Sequence, residues 1–198
     1  MNKKNKLLEL YKSYKQQFGD VEYVFGDGSP DSKVVLIGEA PGKDEVRLGK
    51  PFVGAAGKKL SEFLEVIDLK REDIYITNSI KYRLCKLNEK TGRIINRPAK
   101  TEEIEKSRQY LLKEIEILNP LYVVTLGNVP LKAVTGDKKV SIGSMHGMVF
   151  KTQVLNCIVN LFPLYHPASI IYNRLLANTY YEDIHKLKIQ LLQLNNMS

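Results

Sequence analysis

The chain has 198 residues, 43% of them hydrophobic, and a formal charge of +8 with a pI near 9.3. That length and composition suit one soluble domain with a real core, expected over residues 1–198, and the basic surplus points to a polyanionic partner, most simply nucleic acid. Two cysteines, Cys85 and Cys157, exclude a disulfide scaffold and read as reduced thiols of a cytoplasmic protein, while no apolar run is long enough for a bilayer and Leu7-Leu8 is too short for an export signal.

In chain order, Leu7, Tyr11, Tyr14 and Phe18 fall at helical spacing, so residues 1–20 form an amphipathic helix packed on the body. A turn cluster follows at Asp27–Asp31, then a buried strand at Val34–Ile37. This strand stops at Gly38 in a loop dense in glycine and proline, and a second such loop runs from Gly49 to Gly54. Phe52 stands in that second loop, where a core residue is not expected, and suggests an aromatic platform at the mouth of a sheet. Gly57–Ile67 reads as a helix and Ile74–Thr77 as a strand. Lys86–Lys100 is polar and reads as a loop. Thr101 suits the N-cap of a helix running to Leu118, with Glu102 and Glu103 favoured by the helix dipole. Leu121–Leu126 is a third strand, and Asn128 caps a short helix ending near Gly136. His146–Lys151 and Asn156–Leu164 look like neighbouring strands, and a last helix begins at Ser169 or Asn173.

Short apolar strands alternating with amphipathic helices predict an α/β fold. The expected architecture is a three-layer αβα sandwich around a mostly parallel four-stranded sheet. Ligands bind beyond the carboxyl ends of such strands. Gly38-Glu39, Asn78, Gly127-Asn128 and His166 all follow predicted strands and therefore face one crevice. The Gly38 loop is no Walker A loop: Gly38-x-x-x-Gly42-Lys43 is one residue short, and Asp44 stands where a magnesium-binding Ser or Thr belongs. His146, His166 and His185 lack any mutual ligand spacing, so no metal site is expected, and no G-x-S-x-G elbow exists.

The residues at these strand ends carry a resemblance. Gly38-Glu39-Ala40-Pro41-Gly42, followed by Gly49-x-Pro51-Phe52-Val53-Gly54-x-Ala56-Gly57, resembles the uracil-DNA glycosylase superfamily, and its family 4 class most of all. Ile76-Thr77-Asn78 with Lys81-x-Arg83, Asn96-Arg97-Pro98, Leu126-Gly127 and Tyr165-His166-Pro167-Ala168 fit further blocks. The resemblance runs from about Val24 to Leu187. It implies a monofunctional enzyme that starts base-excision repair on uracil-containing DNA as a cytoplasmic monomer, with no diffusible cofactor and no membrane. Family 4 enzymes usually hold a 4Fe–4S cluster on four cysteines. Here those positions are Tyr11, Tyr14, Tyr82 and Ser107, so no cluster is expected, and the tyrosines are expected to form an aromatic wedge instead.

The resemblance also assigns roles. Phe52 stacks on a flipped uracil, Asn78 reads its O4 and N3–H, and His166 with backbone N–H groups of Gly38–Gly42 meets the charge growing on O2. Ala40 stands where related family 1 enzymes carry a water-activating aspartate. Glu39 is the nearest carboxylate, and either activates water or holds the loop together. Glu45 matches an acid that crowds the C5 edge and excludes thymine. Ile170 and Ile171 are the expected wedge into the gap left by the base, Arg174 a DNA contact, and Lys43, Lys50, Lys58, Lys81 and Arg83 phosphate contacts. The competing readings are a glycosylase for another deaminated base, such as hypoxanthine, and a DNA-binding module without catalysis. A member that cross-links to DNA would carry a histidine-bearing insertion, which is not visible.

Overall fold

The computed structural model describes residues 2–195; residue 1 and residues 196–198 of the expected domain lie outside them. Helix α1 spans Lys3–Phe18, β1 Asp27–Gly28, β2 Val34–Gly38, α2 Lys43–Leu48, α3 Ala55–Val66 and β3 Tyr75–Asn78. Then come β4 Cys85–Asn88, β5 Arg93–Asn96, α4 Thr101–Leu118, β6 Tyr122–Leu126, α5 Asn128–Thr135 and α6 Ile142–Met145. The chain finishes with β7 Phe150–Val154, β8 Cys157–Leu164, α7 Ser169–Tyr172 and α8 Ala177–Asn195.

The main sheet has six strands, not four, in the order β1-β3-β2-β6-β8-β7. The four expected strands are its parallel interior, β3-β2-β6-β8. The difference lies at the edges, where β1 pairs antiparallel with β3 and β7 with β8. β1 is two residues inside the turn cluster, too short to show a period. Alternate residues of the inner strands feed two cores. Leu36, Ile76, Val124 and Phe162 pack with α3 and α8, while Val35, Ile37, Val123 and Leu161 pack with α1, α4 and α5. The register sets Gly38 opposite Asn78 and Leu126 opposite Leu164, so the strand ends that carry the chemistry are level.

Several expected boundaries change. Lys86–Lys100 is not all loop, because β4 and β5 form a separate antiparallel hairpin. The expected strand from His146 starts at Phe150, after the short helix α6. The last helix begins at Ala177, behind α7 and a short 3-10 turn at Arg174–Leu176. Lys100, not Thr101, occupies the N-cap of α4, where Glu103 accepts its N–H at 2.8 Å. Asn128 is the first residue of α5 rather than its cap, and its Oδ1 accepts the Ile142 N–H at 2.8 Å.

Lys81 is buried rather than free for a phosphate. Its ammonium meets Glu114 Oε2 at 2.5 Å, Thr77 Oγ1 at 2.7 Å and the Asn78 carbonyl at 2.5 Å. Glu114 lies among Leu111, Leu112 and Ile115 on the inner face of α4 and also accepts from Tyr11 Oη at 2.5 Å. Burial and Glu114 push the Tyr11 phenol well above its ordinary pKa, which keeps it a donor. The pair therefore joins α1, α4 and the end of β3.

Tyr14 continues this contact. It is fully buried, its hydroxyl lies 2.9 Å from Ser107 Oγ, and it accepts the Lys81 backbone N–H at 3.0 Å. Its ring stacks on Phe18 at 4.3 Å, Phe18 tilts against Tyr82 at 5.4 Å, and Tyr11 stacks on Phe25 at 4.2 Å. The positions that the resemblance assigns to cluster cysteines thus sit in an aromatic layer between α1 and the body.

Removing one charge of the buried pair strands the other. Lys81→Met is expected to cost about 3–5 kcal/mol in urea unfolding, and adding Glu114→Leu should restore at least half of that loss.

Candidate active site

At the level strand ends lies a cleft of about 320 Å³, bordered by Ala40, Glu45, Phe52, Asn78, Asn96, His166 and Tyr172. Asn78 ends β3 with 2% exposure. Its backbone is held by Lys81, but its side-chain amide has no hydrogen-bond partner among the described residues. Neither amide atom is among the fully buried atoms without a partner, so the amide opens onto the cleft, where the polar edge of a ligand can pair with it.

Phe52 forms one wall. Its ring is 6% exposed and belongs to the core cluster of α3, contrary to the expectation of a non-core residue. The same ring borders the cleft and lies 5.8 Å from the His166 ring. Its φ of 53° is strained for a residue with a side chain. Arg71 holds that conformation, donating from Nη1 to the Phe52 carbonyl at 3.0 Å and from Nη2 to the Pro51 carbonyl. Nothing in the local sequence around Phe52 points to Arg71. Gly38 supplies the room: a Cβ there would lie 2.4 Å from Asn78 Oδ1 and 2.6 Å from Phe52 Cζ.

His166 follows β8. Its Nδ1 accepts the Ala168 N–H at 3.1 Å, so the proton of the neutral ring sits on Nε2. An edge of the ring reaches the cleft, but protein surrounds the rest. That desolvation pushes its pKa down to about 4, with the Glu45 charge opposing the shift. At neutral pH the ring is therefore an uncharged donor.

Glu45 staples the two glycine-rich loops together. Its Oε2 accepts the Gly42 N–H at 3.1 Å, and its Oε1 accepts the N–H groups of Val53 and Gly54 at 3.1 and 2.9 Å. Glu39 is half-buried and turns Oε1 to the Ala99 N–H at 2.9 Å, fastening the loop before α4. Glu39 is not among the residues that border the cleft, whereas Ala40 is.

The outer residues divide. Ile170 is 7% exposed and packs in the core, so it is no wedge; α7 turns it inward. Ile171, Tyr172 and Leu175 are 43%, 88% and 90% exposed, and the first two border the cleft. Tyr172 and Leu175 are not among the contacts that the resemblance implies. Lys43, Lys50, Lys58 and Arg174 are exposed, and Arg83 is half-buried with its Nε on Asn96 Oδ1 at 3.0 Å.

An iron–sulfur cluster does not fit this chain. Three phenols and one hydroxyl occupy the expected ligand positions, Tyr14 and Ser107 are hydrogen-bonded to each other, and Cys85 is exposed on the hairpin. Among the described residues no three His, Cys, Asp or Glu side chains gather to hold a metal ion. No helix among them is long and apolar enough to cross a membrane.

An α/β sheet with a polar-edge pocket beyond its parallel strand ends defines a ligand-binding domain of the doubly flanked class. Residues 25–186 match the model of the uracil DNA glycosylase superfamily, and the chain belongs to that superfamily. It is 37% identical to a type-4 uracil-DNA glycosylase of Archaeoglobus fulgidus, over 83% of this chain and 80% of the relative. Identity to the type-4 enzyme of Thermotoga maritima is 36%, over 83% and 81%. For that of Saccharolobus solfataricus it is 35%, over 82% and 73%.

Two outcomes follow from this geometry. Gly38→Ala should drive Asn78 and Phe52 apart and cut ligand-dependent activity about 100-fold while the circular dichroism spectrum stays native. His166 gains a proton more readily unfolded, near pH 6.5, than folded, near pH 4. Its contribution to stability is therefore full above pH 6.5 and lost as pH falls towards 4, and the drop in Tm across that window should shrink in His166→Asn.

Proposed function

We propose that this enzyme hydrolyses the N-glycosidic bond of deoxyuridine flipped out of DNA and so begins base-excision repair. The amide of Asn78, which borders the cleft and makes no hydrogen bond among the described residues, is the observation that carries this reading. Its Nδ2 donates to uracil O4 and its Oδ1 accepts from N3–H. Cytosine presents the reverse pattern at both atoms and would leave buried groups unpaired, which is a strong rejection. Phe52 lies against the ring, giving stacking without choice among bases.

When the C1′–N1 bond breaks, its electrons pass to the uracil, largely onto O2, and positive charge develops on the sugar. The neutral His166 donates Nε2–H to that oxygen. The Gly42 N–H is engaged by Glu45, and Ala40, which borders the cleft and whose N–H has no partner among the described residues, supplies the backbone donor. One donor of this kind is worth about 3–4 kcal/mol in the transition state. A water then bonds to C1′ and its proton neutralises the departing base. With Glu39 engaged on the Ala99 N–H, we assign it to positioning of the loop rather than to proton abstraction. Glu45 borders the cleft and narrows it at the C5 edge.

Ile171 and Tyr172 fill the gap left by the base, while Lys43, Lys50, Lys58 and Arg174 meet phosphates. The chain acts as one domain and as a monomer. It works without an iron–sulfur cluster, because the aromatic layer under α1 takes over its structural role. Neither Cys85 nor Cys157 is in a disulfide, which suits the reducing cytoplasm.

Incubating the protein with a uracil-containing oligonucleotide and cleaving abasic sites with alkali tests the reading. Wild type should give product, and Asn78→Ala and His166→Ala should each lose at least about 100-fold. Product from a hypoxanthine-containing strand at the same rate would shift the assignment to a different deaminated base. Glu39→Gln keeps the acceptor for Ala99 and should lose only several-fold, whereas Glu39→Ala should lose far more. A loss of about 100-fold or more in Glu39→Gln would make it the base.

A further inference from the structure

The β4–β5 hairpin has no place in the chemistry above. Of its residues Cys85–Asn96, all but Asn88 are exposed, Ile95 the least of the apolar ones at 37%, so neither face of this two-stranded ribbon is buried on the protein. An isolated hairpin is marginally stable in water, so a ribbon of this kind gains order from whatever covers it. Leu87 and Ile94 pair directly across the strands and are 62% and 60% exposed. Lys86, Lys90 and Arg93 make no ion pair among the described residues, and Glu89 is the one acid in the segment.

The root of the ribbon is the wall of the cleft. Asn96 borders the cleft and pairs with Cys85, two residues from the Leu87–Ile94 pair and therefore on the same face. Arg83 holds Asn96 at 3.0 Å, the Arg97 N–H donates to the Leu84 carbonyl at 3.1 Å, and Glu39 holds Ala99 at 2.9 Å. A nucleic acid strand seated with one nucleotide in the cleft passes this root.

We infer that the hairpin is a DNA-binding arm that grips the strand beside the flipped nucleotide. Leu87 and Ile94 lie against sugars and base edges, and Lys86, Lys90 and Arg93 reach phosphates on either side. Three unpaired cations around one apolar pair select a polyanion over a protein surface. The inference rests on the proposed action on DNA and adds an element outside the cleft that sets affinity, not chemistry.

The test is binding of a labelled duplex, with uracil and with thymine at the same position, across a range of salt concentrations, together with uracil release at saturating DNA. The variant Lys86→Ala/Lys90→Ala/Arg93→Ala should bind both duplexes at least about tenfold more weakly at low salt. Its plot of log affinity against log salt should be less steep by about 2.7, at about 0.9 per lost phosphate contact. Leu87→Ser/Ile94→Ser should weaken binding without changing that slope. Uracil release at saturation should stay within about twofold of wild type in both, since no group that meets the flipped uracil or its sugar is touched. Unchanged affinity and slope in the triple variant would overturn the inference, as would lost turnover at unchanged affinity. Wild type that binds but releases no uracil would sink the glycosylase reading, while the salt slopes would still decide the role of the arm.

Discussion

The buried contact between Lys81 and Glu114 is the constraint on which the rest depends. Taking two charges out of water costs several kcal/mol per ion, and their attraction offsets that only when the remaining hydrogen bonds are satisfied. Here they are: Lys81 donates to Thr77 and to the Asn78 carbonyl, and Glu114 accepts from Tyr11 and Thr77. The partners come from α1, β3, α4 and the turn after β3. Displacing any one of them exposes a charge to an apolar surrounding. The chain around Asn78 is thus fixed through its backbone, which leaves the Asn78 side chain free to face a ligand.

The aromatic layer extends this constraint. Tyr14 Oη accepts the backbone N–H of Lys81 and meets Ser107 on α4. The helix, the turn and α4 are the same elements that a four-cysteine cluster would cross-link, and here phenols and stacked rings join them. Covalent metal–sulfur links and close packing serve the same mechanical purpose, since both restrict α1 relative to the sheet. The pocket at the carboxyl end of β3 adjoins this braced turn. Its own strain is local: Phe52 sits at positive φ because Arg71 captures two successive carbonyls and Gly57 lets the chain approach, a Cβ there lying 2.0 Å from the Phe52 carbonyl oxygen.

Much of the fold was legible because its signals are local. The apolar runs at Val34–Ile37 and Leu121–Leu126 and the helical faces around Leu60 and Leu111 declare their elements by periodicity alone. The strand ends in the sequence suffice to place Asn78 and His166 at one crevice. The edge strand β1 leaves no signal in the sequence because two residues show no period, and α2 leaves none because it lies between two glycine-rich loops. The hairpin reads as loop in the sequence because its strands bury neither face, so alternation carries no signal.

Chain order and residue chemistry by themselves determined the α/β layering, the level strand ends, and the amide, aromatic and imidazole that meet there. Only the tertiary structure decided which charges and apolar residues are available. Lys81 looks like a phosphate contact until Glu114, 33 residues away, is seen to bury it. Ile170 and Ile171 are chemically alike, and the turn of α7 alone sends one into the core and the other to the cleft. Arg71 acquires its role only when the carbonyls of Pro51 and Phe52 reach it. Periodicity is a property of neighbours in the chain, whereas burial and pairing are set by partners that folding brings together.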